Sequence, residues 1–261
     1  MLSVEFRRTV AQGEAERFWR LYGFSTPDEL VLEELAFARG VIVIEGPLDG
    51  MEARLVRDGE RGLVRIKDHA SGRGRKRFAV AHELGHWELH QDVSQVFACT
   101  SQDMVASYKD SPEEGQANHF AACLLMPSHL FLEHVQDQVL SFDILGETKE
   151  YFGTSLTATA IRFTELSDDY CAVVVAEEGR IRWWRGSAAF EARFWLPYGA
   201  RLSRNTVAAS LMGRERDRAG PEEVDIDAWS KRTPDEDSQV FIEESVYMKS
   251  YRQLMSLLRL P

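Results

Sequence analysis

The sequence predicts an α+β protein. A mostly helical domain with a small antiparallel sheet is expected over residues 1–167, and a smaller α+β accessory domain over residues 168–261. Three observations lead there. Residues 1–166 carry repeated cap-and-stop signals around apolar stretches of helical length. Between two such stretches lie short β-branched runs with alternating faces. Past Asp168-Asp169 the texture changes to buried-looking strands separated by tight turns, with no internal repeat.

Taken in order, Gly13 to Tyr22 reads as helix and carries Phe18, Trp19 and Tyr22. Thr26-Pro27-Asp28-Glu29 combines an N-cap, Pro at the first helical position and an acidic first turn, opening a helix to Arg39 with Gly40 as its stop. Val41 to Ile44 is a β-branched strand, and Ala53–Arg57 with Gly62–Ile66 reads as a hairpin around Asp58-Gly59-Glu60-Arg61. Ser71 to Arg77 reads as a flexible basic connector feeding a helix from Phe78 to about His90. Residues 91–111 are polar and read as a long loop. Ser111-Pro112-Glu113-Glu114 then starts a second strong helix that stops before Pro127. Two or three helices follow to Leu166, among them Thr154 to Phe163, whose small residues resemble helix-turn-helix packing. Cys171–Ala176 and Arg180–Arg185 read as strands around Glu177-Glu178-Gly179, with one of Trp183 and Trp184 expected in the core. Polar loops are expected over 214–223 and 231–238, and a closing amphipathic helix over Glu244 to Leu258.

Composition narrows the function classes. A net charge of −11 speaks against a surface that neutralises nucleic-acid phosphates. Cys99, Cys123 and Cys171 are far apart, odd in number and lack a CxxC pair, so neither a disulfide framework nor a cysteine-based zinc site is expected. No secretory leader is legible, and no apolar run approaches the ~20 residues of a membrane helix. A cytoplasmic protein is the expectation.

The chemistry is concentrated in His82-Glu83-Leu84-Gly85-His86. Residues four apart share a helix face, so His82 and His86 can aim two imidazoles at one ion. Glu83 falls beside the metal's water, where a general base belongs. With seven His in 261 residues, such a motif arises by chance in roughly 2% of sequences, so its surroundings must decide. A catalytic zinc takes three protein ligands and leaves one position to water. The extended HExxHxxGxxH pattern fails, because Leu89 and Asp92 stand where Gly and His are required. His90 sits about 80° round the helix from His82 and suits a supporting role. Glu113 and Glu114 are the acidic candidates for the third ligand. Asn118, four residues after Glu114, can accept from an imidazole N–H, and Ala117, four after Glu113, cannot. That favours Glu114 and leaves Glu113 open.

Phe78-Ala79-Val80-Ala81-His82-Glu83-Leu84-Gly85-His86, followed by Ala117-Asn118-His119-Phe120-Ala121-Ala122-Cys123-Leu124-Leu125-Met126-Pro127, resembles the ImmA/IrrE metallopeptidases. The similarity spans roughly residues 40–130 in two blocks of matching order and spacing. Gln116 stands where many relatives are acidic, and the part from Tyr170 is only loosely similar to an extra domain of longer members. The resemblance implies a zincin-like domain, Zn²⁺ held by His82, His86 and Glu114, and Glu83 as catalytic base. It also implies cleavage of a helix-turn-helix repressor, switching on stress-response or mobile-element genes; the acidic charge leads to the expectation of no direct nucleic-acid partner. His119, Tyr108 and Tyr151 are candidates for stabilising the oxyanion. Two other readings are a binding module with a structural zinc and a DNA-binding regulator using residues 154–166.

Overall fold

In a computed structural model, the described residues are 3–68, 72–91, 96–100, 111–212, 217–231 and 240–261. They divide into two compact units, one of residues 1–136 and 148–158, the other of residues 137–147 and 159–261. The division is interleaved, whereas the sequence suggests a single cut after residue 167. Among the described residues no helix is long and apolar enough to cross a membrane.

Helix α1 (Val4–Tyr22) is capped by the Ser3 side chain and closed by Gly23 in the left-handed region. The helix expected from Thr26 to Arg39 is broken in two. A 3-10 turn at Pro27–Glu29 stops at Leu30, and α2 (Leu32–Ala38) begins afresh. Leu30 and Leu32 are both buried, two positions apart, which a continuous helix would not allow on one face. The Leu30 carbonyl accepts instead from Arg77 Nη1 at 3.2 Å.

Strands β1 (Val41–Gly46), β2 (Ala53–Asp58) and β3 (Arg61–Lys67) follow, the last two as the expected hairpin. The sheet is mixed, because β1 runs parallel to β3. Helix α3 (Arg73–Leu89) starts five residues earlier than the sequence suggests, so the basic stretch from Arg73 is helix and not connector. Gly74 is needed there for contact rather than flexibility: a Cβ would stand 2.3 Å from the Thr154 carbonyl carbon. Residues 79–87 of α3 are buried without interruption. A helix covered on all sides is a rigid mount for whatever it carries.

The expected loop over residues 91–111 contains a strand, β4 (Val96–Cys99), which pairs antiparallel with β2 and forms one edge of the order β1-β3-β2-β4. The four-residue apolar run Val96-Phe97-Ala98-Cys99 is short enough to be lost in polar surroundings. Helix α4 (Pro112–Leu125) is capped by Ser111, whose hydroxyl accepts from the Glu114 N–H. It packs on α3 at Gly85, where a Cβ would lie 3.1 Å from Ala117 Cα. Two small residues let the helices close and bring Glu114, one turn before Ala117, towards the face of His82 and His86. Trp19 of α1 donates through Nε1 to the Leu124 carbonyl at 2.8 Å and fixes α1 on α4.

Helices α5 (Ser128–His134), α6 (Phe142–Phe152) and α7 (Leu156–Leu166) follow. The second sheet is antiparallel, in the order β6-β5-β9-β8-β7. Its strands are β5 (Cys171–Glu177), β6 (Arg180–Gly186), β7 (Arg218–Asp225), β8 (Val240–Met248) and β9 (Gln253–Arg259). Short helices α8 (Ala188–Arg193) and α9 (Val207–Leu211) lie between β6 and β7. Trp184, Phe190, Phe194, Phe241 and Leu258 are in its core, while Trp183 is half-buried.

Two expectations fail here. The closing segment is a hairpin, not a helix. Strand β9 lies between β5 and β8, so residues 254–258 are buried on both faces and lose the alternation that marks a strand. Arg252, at φ 55°, makes the turn between β8 and β9. Residues 218–223, read as loop, belong to β7; residues 214–216 and 232–238 lie outside the described residues.

Candidate metal centre

Four side chains from three elements meet beneath α3. His82 and His86 come from its buried face, Glu114 from the first turn of α4, and Cys99 from the end of edge strand β4. Each offers one ligating atom, all within 4.8 Å of one another. His82 Nε2 is 3.1 Å from His86 Nε2 and 3.1 Å from Glu114 Oε2. His86 Nε2 lies 3.4 Å from the same carboxylate oxygen.

The hydrogens of this cluster are settled by what stands behind it. His82 Nδ1 is 2.8 Å from Asn118 Oδ1. An amide oxygen only accepts, so Nδ1 carries the hydrogen and Nε2 keeps its lone pair. Behind His86 runs a longer relay. Its Nδ1 is 2.9 Å from His90 Nδ1, and His90 Nε2 is 3.3 Å from Gln116 Oε1, which also accepts from Arg7 Nη1 at 3.2 Å. His90 therefore donates to Gln116 and accepts from His86, leaving the His86 Nε2 lone pair facing inward. Such supporting bonds orient a ligating imidazole and raise its basicity.

Two imidazole lone pairs and a carboxylate oxygen thus converge beside the Cys99 thiol. Neutral donors do not crowd this way without a cation. Without an ion, the surroundings of His82 favour its charged form. Burial opposes the charge there, but the bond to Glu114 and the charges of Glu83 and Glu114 outweigh it and raise the pKa. His86 is pushed down to about 4, chiefly by burial. The Glu114 carboxyl, despite burial, is held well below its usual range by the two imidazoles. Phe97 of β4 stacks on His86, ring centroids 4.2 Å apart, and keeps that side dry.

Glu83 is fully buried, and neither carboxylate oxygen has a hydrogen-bond partner. Burial raises its pKa to about 7, and the neighbouring His82 and the Cys99 thiol counter this only in part. An orphaned carboxylate beside a cluster of metal donors fits a site built around an ion and a water.

The comparisons with known proteins agree with this geometry. The model of the IrrE N-terminal-like domain, Peptidase_M78, matches residues 37–164. Residues 37–164 form an IrrE N-terminal-like domain. A solved structure titled "Mycobacterium tuberculosis transcriptional regulator" is similar over 96% of this chain and 87% of its own, with a TM-score of 0.61 at 17% identity. That likeness extends the shared fold beyond the IrrE-like domain. No curated protein matches the sequence.

Within the IrrE-like domain, His82, His86 and Glu114 are brought together and Glu83 stands beside them. Glu113 points elsewhere, 3.6 Å from Arg7 Nη1. His119 lies 3.6 Å from Cys123 Sγ, Tyr151 is on the surface stacked on His134, and Tyr108 is outside the described residues. Cys99 is the residue that sequence reasoning set aside. Its spacing from the histidines matches no cysteine motif, and the one available signal was the short apolar run that ends in it.

Proposed function

We propose that the protein is a zinc-dependent endopeptidase whose substrate is a helix-turn-helix transcriptional repressor, so that cleavage derepresses stress-response or mobile-element genes in the cytoplasm. One observation carries the catalytic part: three inward-facing electron-pair donors with an orphaned, buried carboxylate next to them. His82 and His86 would hold zinc through Nε2, with Glu114 through Oε2. The bound ion supplies Lewis acidity, polarising the scissile carbonyl and acidifying the attacking water. Glu83 takes the water's proton as the carbonyl is attacked and delivers it to the leaving amine. Burial favours the protonated form of this carboxyl, which suits a group that must hold the proton between the two steps. Asn118 and His90 keep the imidazoles in the tautomers that binding requires.

The repressor substrate rests on the resemblance to the ImmA/IrrE metallopeptidases, with which the matched Peptidase_M78 domain is consistent. The DNA-reading alternative is weakened by α7 itself. Its sequence LTATAIRFTEL has one basic residue, Arg162, and that side chain is buried beside Glu165. A reading helix presents its cations to phosphate. The test is metal analysis of the purified chain, followed by incubation with any small helix-turn-helix protein encoded beside it. One equivalent of zinc and a discrete cut lost in Glu83→Gln are expected. Undiminished cleavage by Glu83→Gln would remove the mechanism.

A further inference from the structure

The geometry points to Cys99 as a fourth metal ligand that closes the site, so that the resting protein is latent. This rests on the metal-site reading above and concerns how that site is regulated. Cys99 Sγ is 3.2 Å from His82 Nε2, 3.8 Å from His86 Nε2 and 3.8 Å from Glu114 Oε2. Together with the three edges among His82, His86 and Glu114, these complete a six-edged figure with sides of 3.1 to 3.8 Å. A tetrahedron about zinc, with bonds of ~2.0–2.1 Å to nitrogen or oxygen and ~2.3 Å to sulfur, has edges of roughly 3.3–3.6 Å. The four atoms stand near the corners of one coordination sphere.

The thiol is held there by the sheet. Cys99 pairs with Ala53 of β2, and the Glu52 N–H donates to its carbonyl at 2.8 Å. The side chain is fully buried, so it does not sample the site from solvent. It is built into it.

Charge explains what such a ligand does. Two neutral imidazoles and the Glu114 carboxylate leave a divalent ion with one net positive charge. A thiolate, its proton released to solvent on metal binding, cancels that charge and fills the position a water needs. A closed four-ligand sphere is the arrangement of structural sites, whereas catalytic sites keep one position open. Glu83, whose oxygens lack partners, then has no water to act on until Cys99 swings away. Catalysis requires displacement of the sulfur by water or by a substrate carbonyl.

Zinc X-ray absorption on the full chain, loaded under reducing conditions, tests this without any activity. One sulfur neighbour at about 2.3 Å is expected in the wild type and none in Cys99→Ala. The cobalt-substituted wild type should show a thiolate-to-metal absorption that Cys99→Ala lacks. A nitrogen-and-oxygen shell alone in the wild type overturns the assignment, and needs no variant that must fold. In the cleavage assay, an open form populated at roughly 1–10% makes Cys99→Ala about 10–100-fold faster than the wild type. Equal rates, with sulfur bound in the wild type, overturn latency. A sulfur neighbour with no substrate cut by either form would sink the peptidase reading and leave Cys99 as a ligand. Cleavage without a sulfur neighbour would do the reverse.

Discussion

Two glutamates, one in each unit, are equally inaccessible to water and differ in every other respect. Glu243, on β8, accepts from Trp229 Nε1 at 2.8 Å, from the N–H groups of Val207 and Ala208 at 3.0 and 2.7 Å, and from the Ser245 hydroxyl at 2.9 Å. Glu83, on α3, has no hydrogen-bond partner on either carboxylate oxygen, and the Cys99 thiol and His82 only partly offset its burial. Both carboxyls are raised by burial, Glu83 to about 7. The contrast separates structure from chemistry. A buried carboxylate with all its lone pairs satisfied ties a start of helix, a loop and a strand together. One left unsatisfied is a cost the fold carries, and it is explained by a site completed from outside.

The sharpest way to break the comparison is to remove each charge in turn. Glu83→Gln should lower cleavage by roughly 10²–10⁴-fold, the range for a positioned general base, while leaving the melting temperature unchanged or higher. A large loss of stability would instead make Glu83 structural. Glu243→Ala should do the opposite. Four donors lose their acceptor, and urea unfolding should report a loss of roughly 3–5 kcal/mol, the scale for breaking a buried polar network from one side. A neutral result there would mean that water enters and satisfies the donors.

The supporting residues carry smaller effects. Asn118→Ala should weaken metal binding about 10–100-fold in chelator competition, because His82 loses the bond that fixes its tautomer. Glu114→Ala should cost more than this and Glu113→Ala less, since only Glu114 faces the imidazoles. Equal losses for the two glutamates would undo the ligand assignment. The mildest effect is on pH dependence. The folded Glu83 pKa of about 7 lies above the reference value of 4.5, so the metal-free native state binds the extra proton. Its contribution to stability is intact below pH 4.5 and is lost as pH rises through about 7. Subtracting the Glu83→Gln stability profile from that of the wild type should show this decline, and zinc should abolish it. A flat difference would mean that Glu83 is solvated.

Much of this was legible before any coordinates. The HELGH motif places three groups through the helical period alone, and the four-residue step from Glu114 to Asn118 favours Glu114 over Glu113 by the same rule. The hairpin of β2 and β3 and the cap of α4 followed from turn and capping chemistry. What failed did so where local pattern and tertiary burial diverge. The run from Leu254 to Leu258 is apolar because β9 is covered on both sides, and periodicity alone does not distinguish that from a buried helix. Arg73 to Arg77 is helical because Gly74 packs against the Thr154 backbone, a contact eighty positions away in sequence. Leu30 ends a helix because its carbonyl is taken by Arg77.

By itself the sequence determined the chemistry of α3: two imidazoles and a carboxylate at helical spacing, with a second acidic helix to meet them. Only the tertiary structure decided that Cys99 stands among them and that His90, Gln116 and Arg7 form a relay behind His86. The reason is physical. Spacing along one helix is set by its local hydrogen bonds and is written in the chain. The approach of an edge strand to that helix is set by how β4 pairs with β2, and no rule of spacing records it.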